Sequence, residues 1–361
     1  MNALLKTTWT SVIVGIIYIW AFLLCVGAFK TDVRVLVALG LIPLGSILTT
    51  FVHELGHALA ARLVGWRVIV FSVQGLTLQL PNRNLVANRR TRVDGAAGWV
   101  SAVPSAPRFA KPLRRVIFIA GGPAISLAQA ITMYCLAVFV ASPEGYGQVK
   151  PNMLAGVFAL LGLASFVATS IPNNKRNGND SAKLLALWRS IRAGKPLDPT
   201  IWIQTLLAFN VRLRDVPNWM IKQSFEQRES SGPHLQFFDT LEIGRTLDAK
   251  VVDVIKARTQ LDTYWLNHEP NDWLKACDAY LAAANERDLD RATAMVAQIG
   301  EPSDLPQMAC AAKAATKMLA GERASANILL DEMDGFIRKK SPYADLTFRD
   351  IRARIEAIVP L

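Results

Sequence analysis

Four long apolar runs in the first half of the chain constrain its fold more than any other feature. They cover residues 9–29, 35–64, 116–141 and about 153–171. A helix of about 20 apolar residues crosses the roughly 30 Å hydrocarbon core of a bilayer, so each run predicts a membrane-spanning helix. The second run exceeds that length, and its end is expected to emerge into water or to curve back. The positive mean hydropathy of the whole chain agrees with a protein that lies partly in lipid.

The first run has an alternative interpretation as a cleaved signal peptide. Val26, Gly27 and Ala28 would then form the small-residue cleavage site. The run is longer than a normal signal core, which favours a permanent span. Lys6, just before it, fits a cytoplasmic N-terminus. Four spans place both ends of the chain on the same side of the membrane.

The net charge of +11 is compatible with two partners, nucleic acid or an anionic membrane surface. The loop 66–115 contains one acid, Asp94, and nine basic residues: Arg67, Arg83, Arg89, Arg90, Arg92, Arg108, Lys111, Arg114 and Arg115. Loops next to membrane spans that are rich in Lys and Arg lie in the cytoplasm. We therefore expect this loop and both termini to be cytoplasmic. Anionic lipid headgroups account for the excess charge, and no nucleic-acid partner is expected.

Between the second and third runs the sequence predicts a small β structure. Residues 67–80 mix β-branched residues with Gly75 and alternate over their second half, which is typical of a hairpin or of edge strands. Residues 81–112 are rich in Asn, Arg, Pro and Gly and are predicted to form a loop.

The second half of the chain is predicted to be a helical, soluble domain. Residues 181–191 form an amphipathic helical pattern, and no later run is long enough to cross a bilayer. Residues 291–294 and 323–326 echo each other at an offset near the roughly 34-residue period of tetratricopeptide repeats. A repeat array and an ordinary helical bundle both remain open. The four scattered cysteines indicate neither a disulfide framework nor a cysteine metal site.

The motif His53-Glu54-Leu55-Gly56-His57 lies inside the second apolar run. Residues four apart share one face of a helix, so both imidazoles can reach one zinc ion at about 2.0–2.1 Å. Glu54 is turned away from the two ligands and can act as general base towards a metal-activated water. Ionisable groups cost at least about 2.5–3.5 kcal/mol each inside a membrane, so a chance cluster is disfavoured here.

A zinc ion bound by two histidines needs a third protein ligand and one open position for water. The remaining histidines and the acids near the spans are set aside by their positions: His234, His268, Asp32, Asp94 and Glu144. Asp180 closely follows the fourth run. It also precedes the amphipathic helix, where it would serve as the N-cap, and the two roles can coexist.

Three features together resemble the site-2 protease family of intramembrane zinc metalloproteases. They are the histidine motif in a membrane helix, Gly121-Gly122-Pro123 in the third run, and Pro172 followed by Asp180 after the fourth run. The resemblance covers roughly residues 40–190. It implies that one zinc ion is bound by His53, His57 and Asp180, and that Glu54 is the catalytic base.

The chain also departs from the family pattern at three positions. Thr169 stands where asparagine is expected before the proline, Ser181 follows the aspartate in place of glycine, and Ser126 replaces an asparagine often found after the Gly-Pro pair. No peptide-binding PDZ module fits in the loop 66–115. Recognition or regulation is therefore expected from the helical C-terminal region.

The sequence thus predicts a mainly α, multi-pass membrane protein with two domains, residues 1–192 and 193–361. The resemblance implies a zinc metalloendopeptidase of a bacterial inner or plasma membrane that performs regulated intramembrane proteolysis. It would cleave membrane-anchored protein substrates, received as an added β-strand by residues 67–80.

Two other classes of function are weighed against this. One is a catalytically silent scaffold that binds a cytosolic partner through its C-terminal helices. A transporter is disfavoured because four spans without an internal repeat offer little for alternating access.

Overall fold

A computed structural model gives the architecture. It describes residues 3–29, 34–80, 84–87, 97–139, 150–172, 179–194, 197, 199–208, 211–228, 235–267, 271–300, 306–340 and 345–360. The chain folds as two compact units, Met1–Leu197 and Asp198–Leu361. Each is mostly helical, as the sequence predicts.

Four long helices form the first unit, and a shorter helix follows them. Their bounds are α1 Ala3–Ala28, α2 Arg34–Leu63, α3 Pro112–Phe139, α4 Pro151–Ser170 and α5 Asp180–Arg192. The first four, counting α1 from Thr10, are long and apolar enough to cross a membrane. The four predicted runs are thus confirmed as helices and as candidate spans. Pro43 lies inside α2, and the helix continues through it.

Most large apolar side chains of the spans are exposed in the isolated chain, Leu36 and Phe139 among them. That distribution suits helices surrounded by lipid. Small residues instead occupy the helix contacts. A Cβ on Gly56 of α2 would clash with the carbonyl oxygen of Gly121 on α3, so the two backbones touch here. Such close approach drives helix association in a bilayer.

A four-stranded antiparallel sheet connects α2 to α3. Its strands are β1 Trp66–Val73, β2 Leu76–Gln79, β3 Asn84–Ala87 and β4 Gly98–Pro104, in the order β3-β2-β1-β4. The predicted hairpin within 67–80 is confirmed as β1 and β2. Gln74 and Gly75 join them with φ angles of 51° and 86°, and two successive positive φ angles are the signature of a type I′ turn.

Two predictions for this region are wrong. Residues 81–112 are not all loop, since they contain β3 and β4. The turn-forming composition around these strands hid them, whereas Gly98–Pro104 itself contains the β-formers Trp99, Val100 and Val103. Residues 67–80 also cannot receive an added strand along an open edge, because β1 pairs with both β2 and β4, and β2 pairs with β3. Within the described residues, the unpaired edges are those of β3 and β4.

Nine helices are described in the second unit: α6 Thr200–Ala208, α7 Asn218–Arg228, α8 Leu235–Leu247, α9 Val254–Asn267, α10 Asp272–Leu281, α11 Leu289–Ala297, α12 Pro306–Leu319, α13 Arg323–Lys340 and α14 Asp345–Glu356. Alanines fill much of its core, with Leu261, Leu274 and Leu330 fully buried among them. Small side chains let these helices pack closely.

Two pairs of helices in this unit begin at the same interval along the chain. The spacing from the start of α10 to that of α12 equals the spacing from the start of α11 to that of α13. It matches the roughly 34-residue period of tetratricopeptide repeats. Ala292 of α11 and Ala326 of α13 are fully buried and are separated by the same interval. The interval between these helices differs from the interval between the similar segments 291–294 and 323–326. The tetratricopeptide-like interpretation therefore stays a prediction.

A buried carboxylate ties three helices of the second unit together. Asp278 of α10 is fully buried. It accepts hydrogen bonds from Arg258 of α9 at 2.6 Å, from Arg291 of α11 at 3.1 Å and from the indole of Trp265 at 3.1 Å. Arg258 is also paired with Glu286. A charge removed from water is tolerated only when it is paired in this way.

Candidate metal centre

Both motif histidines lie on one face of α2, inside the bundle. His53 is 5% exposed and His57 is 6% exposed, and their ring centroids are 5.0 Å apart. The separation follows from their spacing of four residues, one turn of an α-helix.

Asp180 brings a carboxylate to these two imidazoles from a different helix. Its Oδ2 lies 3.1 Å from Nε2 of His53 and 3.2 Å from Nε2 of His57. The alternative role of Asp180 as the N-cap of α5 is wrong. Asn179 is the N-cap, and its Oδ1 accepts from the main-chain nitrogen of Ala182 at 3.2 Å. The Asp180 side chain therefore points to the histidines.

Asn179 also fixes where α5 begins. Its Nδ2 donates to the carbonyl of Ala168 at 2.8 Å and to that of Ile171 at 2.6 Å. Both carbonyls belong to the C-terminal end of α4, where the last carbonyls of a helix lack intrahelical partners. One side chain thus caps α5 and attaches it to α4.

Hydrogen bonds from α3 orient both imidazoles. Nδ1 of His57 lies 3.0 Å from the main-chain oxygen of Phe118, and Nδ1 of His53 lies 2.9 Å from the hydroxyl of Ser126. A carbonyl only accepts, so the contact with Phe118 requires the proton of His57 on Nδ1. The main-chain N–H of Gly122 approaches the same nitrogen at 3.3 Å, and the shorter contact with Phe118 favours the tautomer in which Nε2 presents its lone pair to the site. The Ser126 hydroxyl can hold His53 in the same tautomer. Such partners fix the tautomer and orientation of metal-binding histidines.

These three side chains form a donor set that suits a metal ion. Their ligand atoms, two imidazole nitrogens and one carboxylate oxygen, lie within 4.8 Å of one another. Two donors bound tetrahedrally to one zinc ion at about 2.0–2.1 Å are about 3.3 Å apart. The observed separations of 3.1 and 3.2 Å between Oδ2 and the two nitrogens fit that geometry closely.

The charge of Asp180 also suits a ligand. Burial by itself raises the pKa of this carboxyl, but the hydrogen bonds with His53 and His57 and the charge of Lys183 outweigh burial and lower the pKa below its usual value. Lys183 Nζ lies 3.7 Å from Oδ1. These contacts favour the ionised carboxylate, which is the form that binds a cation.

Two glycines leave room for the functional side chains. A Cβ on Gly122 of α3 would collide with Nε2 of both His53 and His57. A Cβ on Gly98, the first residue of β4, would lie 2.7 Å from Cγ of Glu54 and 2.9 Å from its Oε1. Glu54 is 5% exposed. The start of β4 thus passes directly over the carboxylate that the sequence predicts to be the base.

The structure therefore brings His53, His57 and Asp180 into one cluster and places Glu54 beside a strand of the sheet. Among the described residues no other group of three such ligands meets. The side chains set aside by position, His234, His268, Asp32, Asp94 and Glu144, lie outside the described residues. Sequence reasoning did not find the roles of Ser126, Asn179 and Gly98, although Ser126 was recognised as a departure from the family pattern.

Comparison with known proteins adds one finding. The family model of Peptidase family M50 matches residues 40–319, a range that includes the histidine motif, the sheet and Asp180. No curated protein and no solved structure matches the chain.

Proposed function

Since the chain belongs to Peptidase family M50, we propose that it is a zinc-dependent endopeptidase that cleaves membrane-anchored proteins within or next to the bilayer. One observation carries the proposal. A carboxylate from α5 meets two imidazoles of a membrane-spanning helix at 3.1 and 3.2 Å. Such a cluster is costly in lipid and is by default a functional site.

His53, His57 and Asp180 would hold one zinc ion. When bound, the ion acts as a Lewis acid that activates water and polarises the scissile carbonyl. Three protein ligands are the number that a catalytic zinc site would use, since such a site also has to admit water or substrate. Phe118 and Ser126 keep both imidazoles turned so that each Nε2 faces the Asp180 carboxylate.

Glu54 would act as general base and then as general acid. It takes a proton from the attacking water and delivers it to the leaving amide nitrogen. Glu54 is not part of the cluster of ligand atoms, and its place on α2 between His53 and His57 would hold it in the same helical turn as both. Its burial beneath Gly98 shields the reacting groups from bulk water.

The unpaired edge of β4 is the better candidate for receiving substrate. Among the described residues its only strand partner is β1, and its first residue contacts Glu54. A polypeptide added along that edge would be held extended by main-chain hydrogen bonds. A helical substrate must therefore unwind before its peptide bonds reach Glu54, and helix-breaking residues in the substrate should promote cleavage.

The decisive experiment compares wild type with Glu54→Gln during co-expression with candidate single-span membrane substrates. We expect cleavage to fall by a factor of about 10² or more, while the bound zinc stays at the wild-type level because Glu54 is not a ligand. Glu226→Gln, a change at an exposed carboxylate, serves as the matched control and should cleave normally. Equal cleavage by wild type and Glu54→Gln would favour the silent scaffold instead.

Two further features support a cytosolic role for the second unit. Two successive pairs of its helices recur at one interval, close to the period typical of repeats that bind other proteins. With the basic loop 66–115 and both termini in the cytoplasm, this unit would face cytosolic partners. Metal analysis of His57→Ala separates this role from catalysis, since that variant should lose zinc and cleavage while partner binding persists.

A further inference from the structure

The apolar side of α5, the helix that follows the fourth candidate span, is wider than the part that packs against the bundle. Asp180 and Leu187 are buried and face the other helices. With about 3.6 residues per turn, Trp188 and Leu185 continue this side around the helix, yet they are 53% and 40% exposed. Ala186 is exposed on the opposite side. Part of the apolar side of α5 is therefore uncovered.

The exposed surface of α5 is also positively charged. Arg189 and Arg192 lie exposed in its last turn, and the guanidinium carbon of Arg192 is 4.5–7 Å class distance from the Trp188 ring, at 5.1 Å from its centroid. Neither arginine has an ion pair within the described part of the chain. The described acids of the first unit are Glu54 and Asp180, and both are buried in the candidate metal centre. No described carboxylate of this unit therefore balances the two arginines.

Exposed apolar and basic side chains also occur together on the neighbouring helices. Through the candidate metal centre, α5 begins close to where α2 ends. Arg62 and Leu63 are exposed at the end of α2, and Lys111 and Leu113 are exposed at the beginning of α3. Tryptophan and basic residues at the ends of spans are typical of the membrane–water interface, and anionic headgroups attract basic segments there.

We propose that the exposed apolar side of α5 docks into the interface of the same bilayer, where its partner is anionic phospholipid. Leu185 and Trp188 would enter the boundary between headgroups and acyl chains, and Arg189 and Arg192 would contact the lipid phosphates. Arginine can do so because its aliphatic stem lies along apolar surface while its charged end reaches the phosphate. Since Asp180 is the first residue of α5, the lipid would also hold the helix that carries the third candidate ligand.

The first test measures how deeply α5 enters the lipid, and its readout does not depend on protease activity. A nitroxide label is attached to Leu185→Cys or to Ala186→Cys in the full, otherwise cysteine-free chain, in nanodiscs that contain phosphatidylglycerol. Power-saturation EPR compares collisions with oxygen, which concentrates in lipid, and with a water-soluble nickel complex. The oxygen-to-nickel ratio should be at least about threefold higher at Leu185→Cys, because an interfacial helix buries its apolar face by about 5–10 Å.

Ala186→Cys is the matched control, since it is the next residue and is exposed on the opposite face. Equal access of the nickel complex to both labels would place the apolar side in water. A label at Leu185→Cys that is immobilised and shielded from both reagents would show that protein covers this side. Either result overturns the proposal.

The second test asks whether the lipid partner is anionic. In nanodiscs of phosphatidylcholine alone, the ratio at Leu185→Cys should fall at least about twofold relative to nanodiscs with phosphatidylglycerol. The double change Arg189→Gln and Arg192→Gln should remove this dependence, while an unchanged circular-dichroism spectrum shows that the chain still folds. A ratio that does not respond to phosphatidylglycerol, or a response that persists without the two arginines, would rule out anionic lipid as the partner.

Discussion

Ser126 shows how much the candidate centre depends on a residue that is not itself a ligand. It is fully buried on α3, and its hydroxyl is 2.9 Å from Nδ1 of His53 and 3.2 Å from the hydroxyl of Ser165. At this position the family resemblance leads one to expect asparagine. A hydroxyl can replace the amide because His53 needs only one acceptor for its Nδ1 proton.

Replacement of Ser126 by alanine should therefore weaken zinc binding by about 10–100-fold. The ligands remain, but His53 loses the acceptor that holds its tautomer and ring orientation. Chelator competition on the purified protein measures this affinity. Ser165→Ala is the matched control, since Ser165 contacts Ser126 but not the imidazole, and it should bind zinc nearly as wild type does. Unchanged affinity in Ser126→Ala would show that the hydroxyl does not position His53.

At the scale of elements, the start of α5 decides whether the third ligand reaches its place. Replacing Asn179 by alanine removes the cap and both bonds to α4, at a cost of about 0.5–2 kcal/mol for the cap alone. Asn179→Ser keeps a capping oxygen but loses the two donations from Nδ2. We expect zinc affinity to fall in both variants, because Asp180 is no longer held beside α4. Wild-type affinity in Asn179→Ser would mean that capping alone positions Asp180.

In the second unit, the side chain that connects several helices is Asp278. Asp278→Ala leaves Arg258 and Arg291 without their shared buried partner and should lower the free energy of unfolding of this unit by about 3 kcal/mol. Denaturant unfolding followed by circular dichroism gives the value. Asp290→Ala, at an exposed position directly before Arg291, should change stability by less than about 0.5 kcal/mol. Equal effects of the two changes would contradict a structural role for the buried ion cluster.

The sequence predicts an element well when the residues that determine it lie close together in the chain. The four apolar helices, the β1–β2 hairpin and the family are confirmed, because the apolar runs, the glycine turn at Gly75 and the histidine motif each depend on short stretches of chain. β4 was missed because its neighbours are rich in turn residues, while its partner β1 is distant in the sequence. Likewise His53, Glu54 and His57 share one helical turn, whereas the contact of Ser126 with His53 exists only once α2 and α3 are packed together.

At the scale of the whole molecule, the orientation of the protein in the membrane is a prediction from the sequence alone. The helices show four candidate spans, and the loop 66–115 carries most of the positive charge between them. On a cysteine-free background, Leu76→Cys on the exposed face of β2 should resist an impermeant maleimide in intact cells. Ser142→Cys, in the loop between the third and fourth spans, should be labelled. The reverse pattern would invert the topology and place the second unit outside the cytosol.

The way the centre is divided along the chain also orders its assembly during synthesis. The two imidazoles enter the membrane with the second span, but the carboxylate that completes the cluster follows the fourth. A ribosome must translate 123 further codons after His57 before Asp180 is joined to the chain. Until then the nascent chain lacks the third ligand of the proposed metal centre. A protease with an incomplete centre would not cleave other proteins that are being inserted at the same translocation site.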